Sequence, residues 1–312
     1  MAKTAKLVSD TKTNRHVPVL RDEVMEQLRL QSGMTVIDGT LGNAGHAEEI
    51  AKVIGETGTL IGIDADPLAI TESKKVFANL VPTPRVKLVN TNFASIEQVV
   101  VDLGISSVQA ILLDLGLRRG SLEDTSRGFS FQRSEEVLDM RFNPNDQSLL
   151  TAREIVNTFA SESLADLFYY YADERRSRQY ADAIVTARNS SPIETVGDLV
   201  KIIDEATPSS YGRPGKSNAT KIFQALRMTV NKELEKIEQG ITGALKVLEP
   251  GGRLVIITFH SIEDRFVKQS FRALKENNKV IIDPKKAVKP SRDEIVSNRL
   301  SRSAVLRAIT KI

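Results

Sequence analysis

The sequence predicts an α/β fold, a largely parallel sheet wound with helices, into which an all-helical segment is inserted. Three observations predict it. Short, nearly continuous apolar runs alternate with helical patterns over residues 1–117. That rhythm stops across 118–215, which holds arginine-rich and polar loops and helical patterns but no convincing strand. It resumes in 216–312 with a long helical pattern and a further apolar run. Strands buried on both faces of a parallel sheet read as unbroken apolar runs, and their alternation with helices suits right-handed βαβ units. The expected organisation is a discontinuous outer unit, 1–117 and 216–312, around a helical insertion, 118–215.

The strands come first. "TVIDGT" (35–40), "TLIGIDAD" (59–66), "RVKLVNTNF" (85–93) and "AILLDLG" (110–116) are each a short run rich in β-branched and aliphatic residues. Within the insertion, "TAREIVNTF" and "ADAIVTARN" read as helices. Phe223, Leu226, Val230, Leu234, Ile237, Ile241, Leu245 and Leu248 are spaced by three or four, one apolar face of a long helix. Gly240 and Gly243 are expected to bend or break that helix. "EPGG" (249–252) then reads as a helix stop and turn, and "RLVIITF" (253–259) as another buried strand.

Composition narrows the chemistry. The chain has 312 residues, 41% of them hydrophobic and 27% charged, which is the make-up of a globular protein with a sizeable core. There is no cysteine, so disulfides, thiolate metal sites and a cysteine nucleophile are excluded. Only His16, His46 and His260 are present, and no metal site is expected. A net charge of +3 is too mild to identify a polyanionic partner without its distribution. The N-terminus lacks the apolar region of a signal peptide, and no apolar run reaches the ~18 residues of a membrane span. A cytoplasmic protein is the expectation.

The chemistry concentrates at strand ends. In "DGTLGNAGH" (38–46), Gly39, Gly42 and Gly45 recur every third residue at the end of the first strand. Glycines there let backbone approach a ligand outside the carboxyl ends of the strands. The turn has neither the Gly-Lys-Ser/Thr of a P-loop nor G-x-G-x-x-G spacing, so neither triphosphate nor pyrophosphate is favoured. Asp64 ends the second strand, where an acid accepts both hydroxyls of a ribose, and Asp114 ends "ILLDLG". Asp38, Asp64 and Asp114 each also admit a purely structural reading as a cap or loop brace, and His46 can equally terminate the loop. Taken together, their order suits a nucleoside ligand that also carries a positive centre. S-adenosylmethionine fits that description, with NAD the runner-up on pattern alone.

A set of motifs then goes beyond class. "HVPVL" (16–20), "DGTLGNAGH" (38–46), "IGIDADP" (61–67), "LLDLG" (112–116), "RGFSF" (127–131), "LDMR" (138–141), "FQALRMTVNKEL" (223–234), "PGGRLVIITFHSIEDRFVK" (250–268) and "RSAVLR" (302–307) occur in one order. Together they resemble the bacterial family that methylates N4 of a cytidine in small-subunit ribosomal RNA with S-adenosylmethionine. The resemblance spans His16 to Arg307. It implies a class I, Rossmann-like methyltransferase domain with an inserted helical domain for substrate recognition. It also implies cofactor contacts at Gly42, Ala44, Gly45, His46, Asp64, Phe93 and Asp114, with Phe93 beside the adenine. Two departures stand out. The chain reads "GNAGH" where the family is close to "GRGGH", so Ala44 adds a methyl. After "LLDLG" it reads "LRRGSLED", placing Ser121 where a cofactor-contacting glutamine is expected and adding Arg118 and Arg119 at the rim.

Methyl transfer to an exocyclic amine needs alignment and a proton acceptor. No Asp/Asn-Pro-Pro-aromatic stretch follows the fourth strand. Asp114 is therefore the first catalytic candidate, with Asp139 and His260 next; His260 reads equally well as a histidine braced beneath a loop. A base in folded RNA must be exposed to reach such a pocket, with phosphates held by basic residues. Eight Lys/Arg lie between Lys285 and Ile312, and the insertion adds Arg175, Arg176, Arg178, Arg188, Arg213 and Lys216. "YGRPGKSNATK" (211–221) reads as a loop able to close over RNA. The expected partner is small-subunit ribosomal RNA or the 30S particle. The alternatives are methylation of another RNA or DNA amine, and a non-catalytic RNA-binding or assembly factor that keeps the fold.

Overall fold

The computed structural model describes residues 17–81, 83–115, 126–208 and 217–312. Seven strands form one sheet: β1 (Thr35–Asp38), β2 (Thr59–Asp64), β3 (Arg85–Asn90), β4 (Val108–Asp114), β5 (Leu248–Thr258), β6 (Val280–Ile282) and β7 (Val305–Lys311). Their order is β3-β2-β1-β4-β5-β7-β6. Strands β1 to β5 run parallel, whereas β7 lies antiparallel between β5 and β6. The direction of winding reverses between β1 and β4, and such a switch point leaves a crevice outside the carboxyl ends of the strands.

Alternation along each strand builds two cores. Val36, Leu60, Leu112 and Val255 face one side, under α1 (Arg21–Leu28), α2 (Gly45–Ile54) and α3 (Pro67–Phe77). Ile37, Ile61, Ile111 and Ile256 face the other, under α4 (Ile96–Asp102) and two later helices. Strand β3 is the exception to the expected two-sided burial: it is an edge, with Arg85, Lys87 and Asn90 exposed. Strands β6 and β7 were not expected as strands, because Arg307 and Lys311 interrupt the apolar run of β7. Both cations are satisfied locally, Arg307 by Asp264 at 2.7 and 3.0 Å and Lys311 by the Leu248 carbonyl at 2.6 Å. Nor is "EPGG" a plain turn. It forms a bulge inside β5, since Val108 pairs with Leu248 but Ala110 with Arg253.

A third apolar cluster is mostly helical, with Phe129, Leu138, Met140 and Ile193 joining it from loops. It gathers α5 (Ala152–Thr158), α6 (Ser161–Ala172), α7 (Ser177–Arg188) and α8 (Val196–Ala206) around Phe168 and Tyr180. The cluster reaches past the expected boundary at 215: α9 (Ala219–Val230) gives it Ile222, Phe223 and Leu226. The long apolar face seen in the sequence therefore serves two cores. It is cut at Asn231–Lys232, where Lys232 is left-handed (φ 51°), and α10 (Glu233–Val247) continues into the sheet's second core. Gly240 and Gly243 do not break α10. A Cβ on Gly240 would stand 2.6 Å from a Phe93 ring carbon, so this glycine allows helix and ring to touch. The remaining helices are α11 (Ser261–Glu276) and α12 (Arg292–Ser297). No helix among the described residues is long and apolar enough to cross a membrane.

Candidate active site

The crevice at the switch point is a cavity of about 390 Å³. Its first wall is the turn after β1. Gly39 N–H donates to the Leu112 carbonyl and Leu41 N–H to the Ile63 carbonyl, both at 2.9 Å, so the turn is pinned to β4 and β2. Asp64 accepts from Gly42 N–H and from Asp66 N–H at 2.8 Å each, and Asp114 N–H donates to Thr40 Oγ1 at 2.6 Å. Gly42 (φ 53°), Gly45, His46, Asp64, Phe93 and Asp114 all line the cavity. His46 lies in the first turn of α2 with Nε2 3.7 Å from an Asp114 oxygen.

Ala44 takes a different place from the one expected. It is left-handed (φ 60°), and its methyl is buried in the core cluster under α2 rather than on the cavity wall. The extra methyl relative to glycine is thus accommodated away from the ligand space. Asp139 is also corrected. Both of its oxygens bind Arg141, at 2.8 Å to Nε and 2.8 Å to Nη2, and it does not line the cavity. Burial raises its carboxyl, but the Arg141 hydrogen bonds outweigh that and hold it below the ordinary value. Ser121, with Arg118 and Arg119, lies outside the described residues, as do Arg213 and Lys216.

The second wall carries residues that have no individual role in the sequence reading, apart from His260. Arg227, on α9, binds Glu233 through two bonds of 2.7 and 2.9 Å and stands 3.7 Å from Glu263. Its Nη2 is 3.4 Å from His260 Nε2. His260 is the N-cap of α11, Nδ1 accepting from Glu263 N–H at 3.4 Å, with Nε2 2.9 Å from Glu263. It brackets the wall but does not line the cavity. Glu233, His260 and Glu263 have the composition of a metal site, yet the guanidinium of Arg227 already sits against all three. Burial works against the Arg227 charge, but Glu233 and Glu263 prevail and hold it protonated. Asn231 donates to the Met140 and Arg227 carbonyls at 2.8 and 2.9 Å and accepts from Phe142 N–H at 2.8 Å. That clamps the "LDMR" segment to the end of α9, with Phe142 on the cavity wall. Two signals in the sequence bear on this wall: the 223–234 and 250–268 motifs contain Arg227, Asn231, Glu233 and Glu263, and helical spacing sets Arg227 and Asn231 four apart and Glu233 and Lys236 three apart.

Electrostatics separate the two walls. Asp38 is fully buried on the first, and burial, with Asp114 and Asp64 adding repulsion, pushes its carboxyl up to about 7 against the hydrogen bond from Thr40 N–H. Lys236 lies on the second, its ammonium pushed down by burial and by Lys232 while Asp146 and Glu233 oppose.

A model of the MraW methylase family matches residues 13–312. The chain belongs to that family. Ribosomal RNA small subunit methyltransferase H of Dictyoglomus thermophilum is 41% identical over 296 residues, covering 94% of this chain and 95% of its own. The protein of the same name from Desulfotalea psychrophila is 41% identical over 297 residues, covering 95% and 98%. As a MraW-family methylase the chain is an enzyme, its sheet is the Rossmann-like sheet of a class I methyltransferase, and its methyl donor is S-adenosylmethionine.

The methylase's own residues fit that donor. Asp38, Asp64 and Asp114 gather on one wall, and the Asp38 carboxyl is raised by burial first, with repulsion from Asp114 and Asp64 adding to it. A ligand bearing an ammonium and a sulfonium relieves this repulsion. On that fit Asp64 would hold the ribose, Phe93 the adenine, and the bare turn at Gly42 and Gly45 would admit the methionine end.

Proposed function

We propose that this methylase transfers the methyl group of S-adenosylmethionine to N4 of a cytidine in small-subunit ribosomal RNA, in the cytoplasm, on the RNA or on the 30S particle. The observation that carries the reading is the two-sided cavity. Acids and glycines suited to the cofactor line one wall, and a polar wall with an aromatic, Phe142, faces them. The names of the relatives support the ribosomal RNA, and the "FQALR", "RGFSF" and "LDMR" motifs support the cytidine amine.

The cofactor supplies a methyl carbon made electrophilic by its sulfonium. The chain supplies alignment. The N4 lone pair of cytosine is delocalised into the ring, so an acceptor must draw on the amine protons while the amine is held in line. Asp114 is the carboxylate for that role: it ends β4 on the cavity wall, its backbone fixed by Thr40. His260 acts behind the wall by bracing Glu263. In the proposed division of labour, the sheet and its helices hold the cofactor, and the helical cluster, α9 included, positions RNA. Arg175 and Arg178 are exposed on that cluster and suit phosphates, whereas Arg188 is committed to the Val156 carbonyl at 2.8 Å.

The test incubates the protein with radiolabelled S-adenosylmethionine and small subunits lacking the modification, then digests the RNA to nucleosides. Label in N4-methylcytidine is expected. Label in a different nucleoside would move the target to another amine. Cofactor binding with no label would point to an RNA-binding or assembly factor.

A further inference from the structure

Along the second wall nearly every polar group is already committed. Arg227 is taken by Glu233, Glu263 and His260, and the Asn231 amide by Met140, Phe142 and Arg227. Lys236 differs. It is half-buried and lines the cavity, and among the described residues its ammonium makes no hydrogen bond or ion pair, feeling Glu233 and Asp146 only at longer range. A partly buried ammonium that faces a cavity and has no hydrogen-bond partner on the protein is available to an acceptor on a ligand. Its position supplies the geometry. Glu233 is three residues earlier on α10, so carboxylate and ammonium occupy neighbouring places on one helix face. Phe142 offers an apolar ring on the same wall.

That set complements one kind of ligand edge: a donor amine beside carbonyl acceptors on a flat ring. Cytosine presents N4 as donor and N3 and O2 as acceptors. N3 and O2 are both conjugated with the amine, but O2 is the acceptor farther from it, so a cation there holds the ring without crowding the reacting nitrogen, and the carboxylates facing the amine must offset the density it withdraws. Building on the cytidine reading above, we propose that Lys236 is the base-reading residue of the cavity, its ammonium donating to the O2 carbonyl of the target cytosine while the amine faces Glu233 and Asp114. The contact exists only when the base is in place. It holds the ring so that the amine points at the cofactor wall.

The test compares wild type, Lys236→Met and Lys236→Arg as full chains. Methyl transfer is assayed on small subunits reconstituted with cytidine or with 2-thiocytidine at the target, and cofactor affinity is measured separately by calorimetry. A hydrogen bond to a charged donor predicts a loss in kcat/KM on the order of 10–100-fold for Lys236→Met, with partial rescue in Lys236→Arg. Cofactor Kd and thermal midpoint should hold. The thio substitution should slow wild type by a similar factor and leave Lys236→Met no slower, because both remove the same contact. Three results would overturn the proposal. They are additive losses, a weakened cofactor Kd that places Lys236 on the donor's carboxylate, or a salt slope for subunit binding reduced by about one that places it on a phosphate. If wild type itself labels no N4-methylcytidine, the cytidine reading fails. If wild type labels it and Lys236→Met matches wild type, only the role of Lys236 fails.

Discussion

Asp38 shows how a residue can be costly to the empty fold and useful to the complex. Its carboxyl is raised from 3.8 to about 7 by burial first and by Asp114 and Asp64 after. A raised acid contributes stability that is fully present below its unfolded value and is lost as pH climbs through its folded value. Apo stability should therefore decline between pH 4 and about 7, and Asp38→Asn should flatten that decline in a urea series. A cationic ligand favours the ionised form, so cofactor binding should release a proton near neutrality. Calorimetry at pH 6 and 8, in buffers of different ionisation heat, should show wild type gaining affinity relative to Asp38→Asn as pH rises. Using the variant as reference cancels the titration of the ligand's own amine. Equal pH profiles would mean that Asp38 does not face the cation. Asp64 and Asp114 were legible in the sequence because strand end, acid and glycine turn are contiguous there. The raised carboxyl of Asp38 was not, since it depends first on how deeply the fold buries that strand end and then on how closely Asp114 and Asp64 approach it.

Among the elements, the junction of α9 and α10 organises the second wall. Replacing Arg227 with Met removes the cation that Glu233 and Glu263 share and leaves both carboxylates buried. Such a loss typically costs ~3–5 kcal/mol. The urea midpoint should fall accordingly, and more steeply at pH 8 than at pH 6, because unpaired buried acids carry raised pKa values and lose stability as pH rises. A midpoint unchanged at both pH values would show that the cluster does not need its arginine. The sequence made the helical segments legible but not this break. Apolar spacing runs unbroken from Phe223 to Leu248, and nothing in that periodicity marks Lys232 as left-handed. Glycine in a helix signals either a bend or a close approach, and at Gly240 only the position of Phe93 decides between them.

At the scale of the whole molecule, one buried ion pair joins the helical cluster to the sheet. Arg127 Nη2 donates to Asp66 at 3.0 Å, and its Nη1 donates to the Arg141 and Phe142 carbonyls at 3.0 and 2.6 Å. Asp66 is also the N-cap of α3, accepting from Leu68 N–H. Arg127→Met should therefore destabilise by ~3–5 kcal/mol. Limited proteolysis should cut within 126–206 sooner than within the sheet, and KM for small subunits should rise more than cofactor Kd. Uniform acceleration across the chain would argue against a local hinge of this kind. Strands β1, β2, β4 and β5 were legible because hydrophobic rhythm is local. The pairing of Asp66 with Arg127 was invisible because it joins segments far apart in sequence.

The order of elements along the chain governs how it reaches its native state. Strand β5 pairs with β4, Asp114 opposite Ile257, although residues 115–247 lie between them. Closing so long a loop is entropically uphill before any sheet contact compensates. The helical cluster needs mostly nearer contacts, and such contacts form sooner. Because α9 belongs to that cluster and leads directly into α10 and β5, assembling the helices first shortens the effective loop and delivers β5 to the open edge of β4. By loop-closure entropy alone, forming the helical cluster first lowers the cost of completing the sheet that it interrupts.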